Sequence, residues 1–111
     1  METPSLEDLR AVSPYVWIQK ERERQDARWG KDCNHDALHY LMVLSEEMGE
    51  VSKVLNEAWE GTLSGPEYHR KLEYEIIQVA AVACKWLEAI RRNKDTAQFP
   101  KCGCSACTNH K

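Results

Sequence analysis

Three carboxylates, Glu46, Glu47 and Glu50, stand inside LMVLSEEMGEVSKVL, residues 41–55, a stretch that otherwise suits a buried helix. Glu75 and Gln78 sit in a comparable setting within EYEIIQVAAV, residues 73–82. A carboxylate on an apolar face either costs free energy or titrates to its neutral form. A helix turns by roughly 100° per residue, so with Glu46 at zero, Val43, Val54, Ala58, Val51, Leu44, Leu55 and Trp59 fall on an arc from roughly 60° to 220°. Glu47 lies within that arc, Glu50 at its edge and Glu46 just outside. With Glu75 at zero on the later stretch, Tyr68, Trp86, Val79, Leu72, Ile90 and Ala83 fall within roughly 80° on one side and Val82 and Ala89 within about 40° on the other. Glu75 therefore also sits on an apolar face, and Gln78 lies at its edge beside Lys71 and Lys85.

Like charges brought together in this way must take up a proton or share a cation. Hard oxygen donors, with no thiol or clustered histidine near them, select Mg²⁺ or Mn²⁺ over zinc. Against this stands the plainer reading of Glu46, Glu47 and Glu50 as a solvated face, since glutamate is a good helix former. The inward angles of Glu47 and Glu75 favour a metal cage between two helices.

The punctuation that must position these residues is helical throughout. SLEDL reads as a short capped piece, with Ser5 as cap and Asp8 three residues on. Ser13 followed by Pro14 begins a helix to about Trp29, ended by Gly30. Asn34, His35 and Asp36 are candidate caps for a second helix running to about Trp59 and stopping at Gly61. Pro66, after the turn GTLSGP, opens a long helix reaching about Arg92. Residues 94–111 carry no periodicity. The expectation is an all-α bundle over residues 1–93, with two long antiparallel helices plus an N-terminal helix, completed by oligomerisation, and a Cys-rich tail over 94–111.

At 111 residues the chain is one domain. Its net charge of −3 offers no basic footprint for nucleic acid, and no apolar run is long enough to span a membrane. The acidic N-terminus METPSLEDLR lacks an apolar signal core, which predicts a cytoplasmic protein. Five cysteines, an odd number, then read as thiols or metal ligands rather than disulfides.

SEEMGEV followed by EYEIIQVAAV resembles the MazG-like all-α nucleoside triphosphate pyrophosphohydrolases. The family pattern is E-E-x-x-E on one helix and E-x-x-D on a later one. The similarity spans roughly residues 16 to 92 and includes RWG and His35, twelve residues before Glu47. It implies Mg²⁺ held by Glu47, Glu50 and Glu75, with Glu46 as a ligand or as the group that orients and deprotonates water. It also implies a homodimer or homotetramer with its active site at a subunit interface. The implied reaction is water attack at the α-phosphorus, releasing a nucleoside monophosphate and pyrophosphate. The departure is Gln78, where the family pattern has Asp. Its amide oxygen can ligate a metal but brings no charge, which motivates an alternative: a non-catalytic nucleotide-binding or regulatory module on the same fold.

Other residues carry two readings each. Trp29, Trp59 and Trp86 can stack on a base, although core packing suits each of them better, Trp59 and Trp86 lying on apolar arcs. Lys53 and Lys85 can reach a triphosphate or lie on the surface. Arg24, Arg28 and Lys31 can likewise reach a triphosphate, or form a solvated face with i,i+4 pairing, as KERERQDAR and its surroundings read. His35 can contact base or ribose or cap a helix, and His39 reads as a helix-surface residue. Cys102, Cys104, Cys107 and His110 can close a tetrahedral Zn²⁺ site that would recruit a partner, although a thiol-bearing tail without metal suits their irregular spacing better.

Overall fold

The computed structural model describes residues 3–30 and 36–92. Among these there are four helices and no strand: α1, Leu6–Arg10; α2, Pro14–Trp29; α3, Ala37–Trp59; and α4, Gly65–Arg92. The all-α architecture with two long helices is as the sequence leads one to expect. His35 and the tail from 93 onward, with Cys102, Cys104, Cys107 and His110, lie outside the described residues. No helix among the described residues is long and apolar enough to cross a membrane.

Helices α1, α2 and α3 each start where a side chain satisfies a free backbone donor. Ser5 accepts from the Asp8 amide while Asp8 accepts from the Ser5 amide, a closed capping box. Ser13 accepts from the Tyr15 amide, ahead of Pro14 in the first turn. Of the three candidate caps for α3, Asp36 takes the role and accepts from the His39 amide at 2.8 Å. Helix α2 stops at Gly30, whose φ of 92° lies in the left-handed region that side-chain-bearing residues avoid.

Helix α4 is the spine: α1, α2 and α3 all pack on it. Helices α3 and α4 run antiparallel. Tyr40 near the start of α3 stacks on Trp86 near the end of α4, with centroids 5.8 Å apart and planes 9° from parallel. Glu50 and Lys53, later in α3, act electrostatically on Glu75, earlier in α4. Helix α1 is tied on by Arg10–Glu73 at 2.7 Å and by the Trp17 indole N–H donating to the Leu9 carbonyl at 3.0 Å.

The buried apolar set is small: Leu9, Tyr40, Val54, Ile77, Ala81, Val82 and Ala89. Much of α3 stays uncovered. Leu41, Met48 and Leu55 are exposed at seven-residue spacing, and Trp59 is 90% exposed. These four lie within roughly 40° of one another around the helix, one continuous apolar stripe. Core packing of Trp59 is therefore corrected, because its ring stands in solvent with nothing among the described residues packed over it.

Helix α2 departs furthest from its expected role. Glu21, Arg22 and Gln25 are buried, not part of a solvated face. Arg22 reaches Asp26 at 3.2 Å and also pairs with Glu88 of α4. The ammonium of Lys85 meets Asp26 at 2.8 Å and the Gly30 carbonyl at 3.4 Å. Burial pushes the Asp26 carboxyl up, but hydrogen bonds and charge from Lys85 and Arg22 outweigh it and hold Asp26 below the usual carboxylate range.

Candidate functional site

A cleft of about 480 Å³ opens between α2, α3 and α4. Helix α2 lines it with Glu21, Arg24, Gln25, Arg28 and Trp29. Helix α3 and its cap contribute Asp36, Leu38, His39, Met42, Val43, Glu46 and Glu47. Gln78 and Val82 come from α4. On α2, Trp29 lies two turns beyond Glu21, about 12 Å along the axis at 1.5 Å per residue. Glu21 acts electrostatically on Glu47, so these two share an end of the cleft. Trp29 and the Leu38 turn of α3 form the other end. One end thus carries the carboxylates with Arg24 beside them, and the other carries Trp29 and Leu38 with Arg28, Asp36 and His39.

Burial raises the Glu47 carboxyl above the usual carboxylate range, and the charges of Glu75, Glu50, Glu21 and Glu46 raise it further. Glu75 is likewise raised by burial and then by Glu50, with Lys53 opposing. Both side chains are half-buried, whereas Glu46 and Glu50 are exposed. The helical-wheel angles anticipate this division. Glu46 and Glu47 line the cleft; Glu50, Glu75 and Lys53 are not part of its lining.

This donor set suits a hard divalent cation, because a cation would relieve the mutual repulsion that burial intensifies. As the side chains stand, no three His, Cys, Asp or Glu among the described residues converge as a ligand group. Gln78 faces different company. Its Oε1 lies 3.5 Å from Nη2 of Arg24, and a guanidinium at the only oxygen of the amide is a poor neighbour for a metal ion. Arg24 is itself held by Glu21, with Nε 2.9 Å from Oε1 and 3.1 Å from Oε2.

Two buried polar atoms at the cleft lack partners: the Gln25 Oε1 acceptor and the Gln78 Nε2 donor. Each such atom costs about 1–3 kcal/mol when left unpaired. Nearby, burial and the charge of Glu21 raise the Tyr74 hydroxyl, with Arg24 opposing.

Among the residues singled out from sequence, the structure brings Arg24, Arg28, Trp29, Glu46, Glu47 and Gln78 to one cleft. Lys53 stays exposed beside Glu75. Lys85 is 1% exposed and committed to Asp26 and Gly30, so its ammonium does not reach a ligand in the cleft. His39, expected on the helix surface, lines the cleft instead. Glu21 and Gln25 were missed, although a signal exists. Trp17, Glu21, Gln25 and Trp29 recur every four residues, a single stripe of α2 with a tryptophan at each end.

Comparison of the chain with protein-family models, curated proteins and solved structures gives no match to any of them.

Proposed function

We propose that the chain is a Mg²⁺- or Mn²⁺-dependent nucleoside triphosphate pyrophosphohydrolase of the MazG-like kind. The observation that carries this reading is the pair of half-buried carboxylates, Glu47 and Glu75, on facing helices and both raised by burial and like charge. Carboxylates held above their usual range are unstable as a bare anionic set, and a divalent cation resolves that instability. Glu47, Glu50 and Glu75 would hold the ion. When bound, it would supply charge neutralisation at the phosphate oxygens. Glu46, exposed on the cleft wall, is free to accept a proton from the attacking water. The end of the cleft with Trp29 would take the base.

The exposed stripe Leu41, Met48, Leu55 and Trp59 supports a homodimer or homotetramer, because a second copy would remove these side chains from water.

The test is a panel of ribo- and deoxyribonucleoside triphosphates with Mg²⁺, with monophosphate and pyrophosphate both quantified. Equal amounts of the two products support the reaction. Nucleotide binding without either product would instead favour the non-catalytic module.

A further inference from the structure

Gln25 on α2 is 6% exposed and Gln78 on α4 is 7% exposed, and both line the cleft. Native folds rarely leave such side chains unsatisfied, so two at one cleft call for a physical reason. The orientation of Gln78 is set by its neighbour. Its Oε1 faces the Arg24 guanidinium, and turning the amide around would set N–H against N–H. Nε2 is therefore the free end of Gln78, a donor. The free end of Gln25 is Oε1, an acceptor. A donor from one helix and an acceptor from another match a planar ring edge that presents an acceptor beside a donor.

We propose that Gln25 and Gln78 read the hydrogen-bonding edge of a nucleobase, Gln25 Oε1 accepting from it and Gln78 Nε2 donating to it. The proposal rests on the reading of this cleft as a nucleotide site. Both side chains line the cleft, so a ring seated in it lies beside both amides. Trp29, half-buried in the same cleft, carries the Arg28 guanidinium 5.8 Å from its ring centroid, and the base would stack against this pair. The amide chemistry parallels the two-point contact that glutamine makes with adenine in other settings. The buried location makes it discriminating, because a ring lacking the polar edge leaves both amides unpaired.

The experiment is calorimetric titration with non-hydrolysable triphosphates in the presence of Mg²⁺. Adenine and cytosine represent amino edges, guanine and uracil oxo edges, and a benzimidazole nucleotide has only carbon on its six-membered ring. At least one natural base should bind about tenfold or more tightly than benzimidazole, equivalent to about 1.4 kcal/mol. Gln25→Met and Gln78→Met, similar in shape but without the amide, should each shrink that ratio by about tenfold and leave benzimidazole binding unweakened. A ratio near one in the wild type, or an unchanged ratio in both variants, overturns the proposal. If the variants do not fold, the wild-type ratio decides. Failure of every triphosphate to bind removes the nucleotide reading and this proposal with it. Binding without base preference overturns the amide pair alone.

Discussion

Asp26→Asn should be among the most destabilising substitutions of a polar residue in this chain. The change would leave the Lys85 ammonium, 1% exposed, without an anionic partner, with the Gly30 carbonyl at 3.4 Å and an amide oxygen as uncharged acceptors. Removing one member of a buried ion pair costs about 3–5 kcal/mol, because the other charge is left uncompensated. The reverse deletion, Lys85→Met, is milder. It leaves Asp26 paired with Arg22 at 3.2 Å and with a side chain 23% exposed, so water screens the anion. A loss of about 1–2 kcal/mol is expected there, and the methionine keeps most of the buried stem. The double variant should lose less than the two single losses combined, because each removes the other's penalty. Urea unfolding followed by far-ultraviolet circular dichroism measures all three. The pH dependence provides a second check. The folded-state pKa of Asp26 is depressed, so its contribution is present above the unfolded carboxylate range and is lost as pH falls through the folded value. In Asp26→Asn that acid limb should flatten. If Asp26→Asn cost no more than Lys85→Met, the asymmetry of burial that underlies this ranking would be refuted.

Glu47→Gln and Glu75→Gln should each abolish triphosphate hydrolysis while preserving helicity, and full activity in either would refute the proposed cage. Both carboxyls are raised in the fold, so the wild type loses stability as pH rises through those raised values; each glutamine variant should therefore melt higher than wild type at neutral pH, with the gain vanishing in acid. Chelation of divalent ions should stop hydrolysis and their return should restore it, as product quantification will show. Trp59→Ser should change the unfolding free energy of a dissociated chain by less than about 0.5 kcal/mol, since the ring is 90% exposed, yet weaken self-association in sedimentation equilibrium. Trp17→Phe should cost about 1 kcal/mol by removing the indole hydrogen bond to the Leu9 carbonyl, read from the urea midpoint.

Much of the fold was legible because its signals are local. Ser5 with Asp8, Ser13 with Pro14, and Gly30 act on their own turns, and each does in the structure what its type and position imply. The half-burial of Glu47 and Glu75 was legible for the same reason: a helix carries its own angular frame, and that frame survives packing. Trp59 shows where the frame ends. Its angle on α3 is apolar, but whether a partner element stands opposite is not a property of the helix.

The sequence by itself determined where the helices begin and end, and which of their faces carry the carboxylates. Only the tertiary structure decided which side of α2 would face inward. Glu21 and Gln25 have no apolar character to announce their burial; they are buried because α2 packs on α4 and forms a wall of the cleft. The same packing joins Lys85 to Asp26 across 59 residues of chain, and brings Arg24 to Gln78 across 54. Hydrophobic periodicity reports burial of apolar groups. Buried polar groups take their stability from partners on other helices, and those partners are chosen when the helices pack.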